Sequence, residues 1–598
     1  MSMRRYWSKR LVVVLVFGIL PLVNGDLLGQ TPPVQYEVSV TNPMAKVFHV
    51  CGKIGSGGHE FLQLDWPAWT PGYAAIWNYG QHVLRMTAEN ESGTKLRASR
   101  LSDNRWVIVT HHAQQVSFCY DVSAIDTEND LGFVQAYLDS VNGWYNGAAL
   151  FPEIDGFRGA VHAIHFQLPS GWRVATAMKP SQPKGWFQVA EYDELVDSPV
   201  QLGQFLQRDI AVGGVPISIV VAGIQQVDMD ELATTVKKIA EYQFKFMGAP
   251  GLDRYLFIYH SGVRGAGGLE HMNAVTISLR REEYTKRDSW LKVVTAHELF
   301  HAWNAKRIHT DLFDRYDYSR PHRSKEVWFA EGITAYYTDL TLYRAGLISK
   351  GELFKSLADV LDMYENNRAH TRLSWEDISW YIWDEEIRQG LGVWLLPGWM
   401  IDLKIRDASD NRFSLDDVMR FLDVQYGESG KGYPQSGLGN ICTAIAQRDI
   451  RTFFQRHIAG YDPFPYDSLF YVAGLRRDRA TRQVPDLGCE LFWSLQHNVL
   501  AIGVEEGGLA YEAGIRSGDI IVALNGNAYK SRQELAKFVS QMKIGDTLKL
   551  NCLRGRTEFA ATVQAGVRTL STSTITEIEH PDERQRRVLK GILEGSPR

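Results

Sequence analysis

The sequence predicts a multidomain protein: an N-terminal all-β domain, an α+β domain after it, and a third, smaller unit of strands and one helix. Its 598 residues exceed what one compact core usually holds. Hydrophobic residues make up 45% of the chain and charged residues 22%, which is the composition of a folded globular protein. The periodicity of the apolar residues changes near residue 216, from short alternating runs to helical spacing.

Residues 33–215 carry the pattern of antiparallel sheets. Short alternating runs are separated by Gly, Asn and Asp, and they include YEVSVTN, FLQLDW, RWVIVTH and QVSFCYDVSA. Alternation gives each strand one apolar and one polar face. We therefore expect a sandwich or a layered antiparallel domain.

Residues 216–475 combine a small sheet with many helices. The strand-like run ISIVVAG precedes a predicted helix over 229–247, and YLFIYH, a glycine-rich turn at 262–268 and NAVTISL follow. Helical apolar stripes then continue to about residue 457, over 290–305, 327–345, 351–364 and 415–426. This order of elements favours an α+β unit.

Residues 484–568 form the third predicted unit, and residues 569–598 follow it as a charged tail. VLAIGV, DIIVALNG and TLKLNCL have the composition of strands, and 531–542 has the spacing of a helix. The run DERQRR at 582–587 indicates a solvated segment that ends in a short helix or in disorder.

The first 25 residues have the pattern of a secretory signal peptide. Four basic residues precede an apolar run over 11–23, which ends near small residues. We therefore expect an exported protein, periplasmic or secreted. If the segment stays uncleaved, it is an N-terminal membrane anchor and the only expected membrane contact. A net charge of -5 without a basic stripe argues against nucleic acid as a partner.

The cysteines are odd in number, so at least one does not pair within the chain. Cys51 and Cys119 lie in strand-like runs and could bridge in an oxidising compartment. Buried free thiols are our expectation, because sequence gives no Cα separation. The remaining three are Cys442, Cys489 and Cys552.

The motif His297-Glu298-Leu299-Phe300-His301 points to a zinc site. Residues four apart share one face of a helix, so both imidazoles can reach one ion. Glu298 points partly away from that face, which suits a base that takes a proton from water. An amphipathic helix with two incidental histidines is the alternative.

Two further segments extend this site. Glu331 lies near the start of a second predicted helix and could supply a third zinc ligand, or it could be an acid favoured by the helix dipole. In Gly267-Gly268-Leu269-Glu270, the carboxylate of Glu270 could pair with the amine of a peptide, or it could be solvated after a glycine turn.

These motifs, HELFHAWNAKRI, VWFAEGITAYYTDL and GGLEH, resemble the M61 family of glycyl-aminopeptidase-type metallopeptidases. WTPGY at 69–73, YNGA at 145–148 and SLDDVM at 414–419 extend the resemblance over most of the chain. It implies a thermolysin-like (gluzincin) fold for residues 216–475, with one Zn²⁺ per chain. It also implies zinc ligands His297, His301 and Glu331, the base Glu298, and an amine site at Glu270 with Gly267 and Gly268.

One motif of that family is missing. Its members usually carry Tyr-Tyr-x-Lys-Gly before a Leu-Asp-Leu-like helix, where a tyrosine is a candidate donor to the oxyanion. Here residues 390–394 read GLGVW ahead of Ile401-Asp402-Leu403. Tyr381 is the nearest replacement. Loss of one oxyanion donor typically lowers the rate by about 10²–10³, so we expect an enzyme that is slow, altered in specificity or inactive.

The third unit resembles a PDZ domain, on the residues GGLA at 507–510, AGIRSGDII at 513–521 and LNG at 524–526. A PDZ domain binds a peptide as an added strand and holds its terminal carboxylate with backbone amides. The loop LGCE at 487–490 matches the usual carboxylate-binding form poorly. The unit could bind a peptide ligand, or it could brace or cover the cleft.

The expected activity is hydrolysis of peptide bonds, with peptides or proteins as substrates and release of the N-terminal residue. The alternatives are an endopeptidase, in which Glu270 is incidental, and a catalytically impaired peptide-binding scaffold. Five tryptophans near the expected cleft could form subsite walls or core: Trp375, Trp380, Trp383, Trp394 and Trp399.

Overall fold

A computed structural model describes residues 34–124, 134–224, 226–261, 267–278, 289–368, 373–384, 395–494 and 498–595. The expected signal segment, the first part of the glycine turn (262–266) and the GLGVW stretch with Trp394 lie outside these residues. No helix in the described ranges is both long and apolar enough to cross a membrane.

The predicted all-β N-terminal domain is confirmed. It contains an 11-stranded sheet, ordered β10-β3-β6-β5-β4-β7-β2-β1-β11-β14-β13, and a second sheet ordered β12-β15-β9-β8. Two short helices, α1 (Gly147–Leu150) and α2 (Tyr192–Val196), complete it. The strands are β1 (Val34–Ser39), β2 (Val47–Gly55), β3 (Phe61–Asp65), β4 (Val83–Asn90), β5 (Lys95–Arg100), β6 (Arg105–Val109), β7 (Gln115–Ser123), β8 (Tyr137–Leu138), β9 (Asn142–Tyr145), β10 (Glu153–Ile154), β11 (His162–Gln167), β12 (Arg173–Thr176), β13 (Lys179–Ser181), β14 (Trp186–Val189) and β15 (Val200–Gly203).

Strands β2 and β7 hold a disulfide. Their antiparallel register places Cys51 opposite Cys119, and the structure joins the two. The expectation of free thiols is therefore wrong for this pair, because strand alternation brings both side chains to one face. The other three cysteines are free and buried.

The second domain begins earlier than the predicted boundary at residue 216. Strand β16 (Phe205–Val212) pairs with β17 (Val215–Ala222) in a sheet ordered β16-β17-β18-β20-β19. Gly213 and Gly214 connect the two strands, both with positive φ, and such a glycine pair is the usual signal of a two-residue hairpin. The predicted boundary thus falls inside this hairpin.

The rest of this domain is helical, as the α+β prediction requires. Strands β17, β18 and β20 are parallel, and β19 is antiparallel at the edge. The remaining elements are α3 (Met229–Met247), β18 (Tyr255–His260), β19 (Gly267–Glu270), β20 (Ala274–Ser278), α4 (Ser289–Phe300), α5 (Val327–Arg344), α6 (Lys350–Asn366), α7 (Trp375–Tyr381), α8 (Leu395–Ala408), α9 (Leu415–Leu422), α10 (Leu438–Ala446), α11 (Arg451–His457) and α12 (Tyr466–Val472).

The third domain is carried on a two-stranded ribbon. Strand β21 (Leu475–Asp486) pairs along its whole length with the last strand, β27 (Gly566–Glu577), and the small domain lies between them in sequence. Its sheet is ordered β22-β23-β24-β25-β26. The elements are β22 (Glu490–Trp493), β23 (Val499–Ile502), α13 (Leu509–Glu512), β24 (Ile520–Leu524), α14 (Arg532–Gln541), β25 (Thr547–Arg554) and β26 (Thr557–Gln564).

Ion pairs fix this ribbon and the small domain to the helical domain. Arg477 on β21 pairs with Glu365 at the end of α6. Arg368, just after α6, pairs with Asp486 and, at 3.1 Å, with Glu505. The buried guanidinium of Arg368 therefore links the helical domain to the third one.

Of residues 569–598, predicted as a solvated tail, the described part (569–595) is folded. Strand β27 continues to Glu577, and helix α15 (Glu583–Glu594) packs on the helical domain. One face of α15 is buried, through Val588, Leu589 and Ile592. The charges that dominate the composition lie on its other face. Of the prediction for this segment, only the short terminal helix is confirmed.

Candidate metal centre

Two helices and the turn after the first bring the predicted zinc ligands together. His297 lies in the last turn of α4 and Glu331 in the second turn of α5, which packs against α4. The first helix ends at Phe300, earlier than the predicted 305. His301 still bonds from its backbone N–H to the carbonyl of His297. His297 and His301 therefore keep the i, i+4 geometry of a helix, although the helix ends at Phe300.

The three donor atoms form a tight triangle. Nε2 of His297 lies 3.1 Å from Nε2 of His301 and 3.3 Å from Oε2 of Glu331, and the third side is 3.7 Å. Metal–ligand bonds of about 2.0–2.1 Å in a tetrahedron require donors about 3.3 Å apart. The donor set therefore fits a zinc ion, with one coordination position left for another group.

Hydrogen bonds behind the triangle orient its imidazoles. Nδ1 of His301 lies 2.7 Å from the carbonyl oxygen of Asn304, to which it can only donate. This fixes the tautomer and leaves Nε2 of His301 with its lone pair toward the triangle. Nδ1 of His297 lies 3.4 Å from the hydroxyl of Thr338 on α5.

Asn304 is a site residue that the sequence reasoning missed. Its amide donates to the carbonyls of Phe329 and Ala330, each at 3.0 Å. It thereby ties the turn after His301 to the turn of α5 that precedes Glu331. The contact joins segments 25 residues apart, so only its position shortly after the HExxH motif could have suggested it.

Glu298 is buried beside the triangle. Its side chain is 6% exposed, and burial raises the pKa of its carboxyl well above the usual range. Carboxylate and imidazole atoms of Glu270, Glu298 and His301 all lie within 4.8 Å of one another. The backbone of Gly268 in β19 packs directly on the Glu298 carboxyl. Glu298 is thus held next to the ligands without being one of the closest three donors.

Glu270 lies at the end of the edge strand β19 and is 7% exposed. Gly72 of the N-terminal domain approaches it so closely that an added Cβ would stand 2.7 Å from its Oε2. The structure therefore brings the predicted amine site, with Gly267 and Gly268 on the same strand, to the metal triangle. The N-terminal domain covers it from the other side.

The charges near the triangle favour a bound cation. Burial disfavours the ionised form of Glu331, but the imidazoles of His301 and His297 outweigh it and hold the pKa of this carboxyl well below its usual range. Burial also opposes protonation of His301, yet the Glu331 carboxylate raises the pKa of that imidazole to about 10. The electrostatic environment of the triangle therefore stabilises positive charge, whether a proton or a divalent ion carries it.

A cleft between the two domains opens onto Glu331 and Glu270. Its wall includes Trp383, but Trp375 and Trp399 are buried in the core and Trp380 is exposed. Tyr381 is 43% exposed and does not line this cleft. The structure thus gives no support for Tyr381 as the oxyanion donor, because the end of α7 turns its ring outward and brings Ile382 and Trp383 to the cleft instead.

Family models match three parts of the chain. Residues 35–204 match the peptidase M61 N-terminal domain, 290–392 match the M61 glycyl aminopeptidase and 485–564 match a PDZ domain. The second match contains His297, Glu298, His301 and Glu331. The PDZ match agrees with the small domain on the ribbon.

A solved structure shares the architecture, and another is more distant. An aminopeptidase N family protein from Idiomarina loihiensis is 24% identical, with a TM-score of 0.79, over 94% of this chain and 100% of that chain. The M1 zinc metallopeptidase from Deinococcus radiodurans is 12% identical, with a TM-score of 0.45, over 72% of this chain and 95% of that chain. Among proteins with curated descriptions, none matches. The first structure shows that the fold, including its C-terminal part, is shared.

Proposed function

Because the chain belongs to the M61 family of metallopeptidases, we propose that it is a zinc-dependent aminopeptidase with Glu298 as its general base. One observation carries the proposal: the donor atoms of His297, His301 and Glu331 lie within 3.7 Å of one another, with a buried carboxyl beside them. A zinc ion held there supplies a Lewis acid that polarises a substrate carbonyl and lowers the pKa of water toward about 7.

Glu298 performs the proton transfers. Its carboxylate accepts a proton from the attacking water and passes that proton to the amine that leaves. Burial raises the pKa of Glu298, and a neighbouring divalent cation lowers it again.

Glu270 sets the position of the cut. Its buried carboxylate lies within 4.8 Å of the donor atoms of Glu298 and His301, so a positive group bound there lies next to the reacting bond. The ammonium of a peptide N-terminus is such a group. The N-terminal domain packs on Glu270 at Gly72, and we propose that this contact blocks a chain extending beyond the ammonium. This favours release of single residues over internal cleavage.

The test compares Glu298→Gln with the mature parent protein on a panel of peptides, with zinc measured by mass spectrometry. We expect one zinc per chain in both proteins and a loss of about 10²–10⁴ in kcat for the variant. Glu241→Gln, an exposed change on α3, is the matched control and keeps full activity. Equal hydrolysis by Glu298→Gln and the parent would refute the mechanism.

N-terminal acetylation of the substrate separates an aminopeptidase from an endopeptidase. Acetylation removes the ammonium that Glu270 is proposed to hold, so acetylated peptides resist cleavage while free ones are cut. Glu270→Gln raises KM for free peptides and has little effect on acetylated ones. Equal rates on both kinds of peptide would favour the endopeptidase.

A second proposed activity is peptide capture by the PDZ domain. Strand β22 is at the edge of its sheet, and a groove between β22 and α14 is lined by Leu491, Trp493, Leu535 and Val539. Strand addition at such an edge is how PDZ domains bind peptides. The backbone N–H of Gly488 in the preceding loop donates to Asp486, so one expected carboxylate donor is already used. Titration with a fluorescent peptide library tests this directly.

We also propose export of the protein. The N-terminal pattern and the Cys51–Cys119 disulfide both fit an oxidising compartment outside the cytoplasm. Cell fractionation, with N-terminal sequencing of the product, distinguishes a cleaved signal from an anchor.

A further inference from the structure

The wall of the cleft is aromatic and is built by both domains. The ring of Trp69, from the N-terminal domain, is surrounded by Tyr316, His322 and Trp383, with centroids 5.9, 5.9 and 5.2 Å away. The ring of Phe313 packs against His322, with centroids 4.9 Å apart and a tilt of 35°. All five rings line the same cleft as Glu270 and Glu331.

We propose that this aromatic wall binds the side chain of the substrate's N-terminal residue, and that the enzyme prefers bulky apolar or aromatic residues over glycine and alanine. The inference rests on the proposed aminopeptidase function. It departs from the glycine preference that the description of the matching family model suggests.

The wall is fixed in place. The indole N–H of Trp69 donates to the carbonyl of Asp317 at 2.9 Å, and the backbone N–H of Ala68 donates to the carbonyl of Tyr318 at 2.7 Å. The amide of Asn146 donates to the hydroxyl of Thr70 at 2.8 Å. The loop that carries Trp69 is therefore held on both sides of the ring, and a bound side chain meets a preformed surface.

The position of the loop assigns the wall to the N-terminal residue. Gly72, three residues after Trp69, packs on the Glu270 carboxylate. In a substrate whose ammonium is held by Glu270, the first side chain begins two bonds from the ammonium nitrogen. Trp69 and Gly72 line the same cleft, so the wall that begins at Trp69 is a surface that this side chain can meet.

Few charged groups at the wall are available to bind a polar side chain. Lys306, which lines the cleft, is paired with Asp197 at 2.8 Å. Glu326 accepts the backbone N–H of Ser436, and burial raises its pKa to about 7. Lys306 therefore offers no free charge to an acidic side chain, and Glu326 is held at one carboxylate oxygen by Ser436. Apolar contact with the rings is then the main interaction open to the substrate side chain, and it favours side chains with a large apolar surface.

Trp69 is itself only 3% exposed, so a glycine substrate would leave the half-buried rings beside it, Tyr316 and Trp383, in contact with water. Burying a leucine or phenylalanine side chain removes apolar surface of substrate and wall together, which corresponds to a preference on the order of 10²-fold in kcat/KM. Discrimination of this size is directly measurable with aminoacyl coumarin amides.

The experiment uses the zinc-loaded full chain and the coumarin amides of Gly, Ala, Leu, Phe and Lys. We expect the Phe and Leu substrates to exceed Gly by about 10²-fold. Trp383→Ala should lower kcat/KM for Phe about tenfold or more and leave Gly within twofold. Trp380→Ala removes an exposed tryptophan on α7 that does not line the cleft, and it serves as the matched control.

The opposite ranking, or an equal loss on all substrates in Trp383→Ala, would overturn the proposal. Calorimetry on Glu298→Gln protein with Phe-Ala and Gly-Ala provides a readout that needs no turnover. Tighter binding of Phe-Ala, weakened by Trp383→Ala, supports the subsite even if the parent protein hydrolyses nothing. If the parent enzyme is active but Glu298→Gln binds both dipeptides equally, the subsite is rejected and the proposed function stands.

Discussion

The backbone of Gly268 lies directly against the carboxyl group of Glu298. A Cβ added at Gly268 would stand 2.4 Å from Cγ, Cδ and Oε1 of Glu298. No real contact is that short, so one of the two must move. The glycine is fixed in an edge strand, paired with β20. The side chain of Glu298 must therefore move instead, away from its place beside the metal ligands.

Gly268→Ala is expected to lower kcat by about 10²–10⁴ while zinc content stays at the parent level, because the base moves and the ligands do not. Steady-state kinetics and metal analysis measure the two effects. Gly159→Ala is the control, since an added Cβ there meets nothing within 4 Å. A kcat within twofold of the parent would show that Glu298 is not the base or that the strand yields.

The local part of the metal site was predictable from sequence, but its support was not. His297 and His301 are related by one helical turn, and this relation follows from backbone geometry whatever surrounds the helix. Asn304 acts through carbonyls of α5, and Gly268 acts through a side chain on another element. Such roles depend on how distant segments pack, which the periodicity of one segment does not record.

The same distinction explains the errors in the fold. The predicted start of the second domain, residue 216, is too late, because only the pairing of β16 with β17 assigns β16 to the next sheet. The charged composition of residues 569–598 predicts a tail. Three apolar residues at helical spacing suffice to bury α15, and composition averages them away.

A buried ion pair joins the N-terminal and helical domains. Nζ of Lys306 lies 2.8 Å from Oδ1 of Asp197, whose carboxylate also accepts from His271. Burial would raise the pKa of Asp197, but Lys306 and His271 outweigh it and hold that pKa at about 2. An unfolded-state value of about 3.9 lies above this. The stabilisation is therefore fully present above about pH 4 and is lost as the pH falls through about 2.

Lys306→Met is expected to lower the apparent stability by about 2–3 kcal/mol at pH 7, because it leaves Asp197 buried without its ammonium partner. The deficit relative to the parent should shrink as the pH falls from 4 toward 2. Thermal midpoints across this pH range measure it. Lys355→Met, which breaks an exposed pair with Asp359, should change stability by about 0.5 kcal/mol or less. A deficit independent of pH would exclude the ion pair as its cause.

The Cys51–Cys119 disulfide closes a loop in the N-terminal domain, with a sequence separation of 68. A loop of that length restricts the unfolded chain enough to contribute about 2–4 kcal/mol. Reductant should therefore lower the thermal midpoint of the parent protein. The double variant Cys51→Ala/Cys119→Ala should have the lower thermal midpoint without reductant, and reductant should not change that midpoint. A parent midpoint that reductant does not move would argue that these thiols are not paired in the purified protein.

Helix α15 is part of the core of the helical domain. Ile592 is 0% exposed, its carbonyl accepts from Arg344, and the neighbouring carbonyl of Gly591 accepts from Arg406 at 3.3 Å. Ile592→Ala removes a buried side chain and leaves a cavity, so the free energy of unfolding should fall by about 2–5 kcal/mol. Lys590→Ala, on the exposed face of the same helix, should change it by about 0.5 kcal/mol or less. Equal effects of the two changes would mean that α15 does not dock in solution, and the charged segment would then be a tail after all.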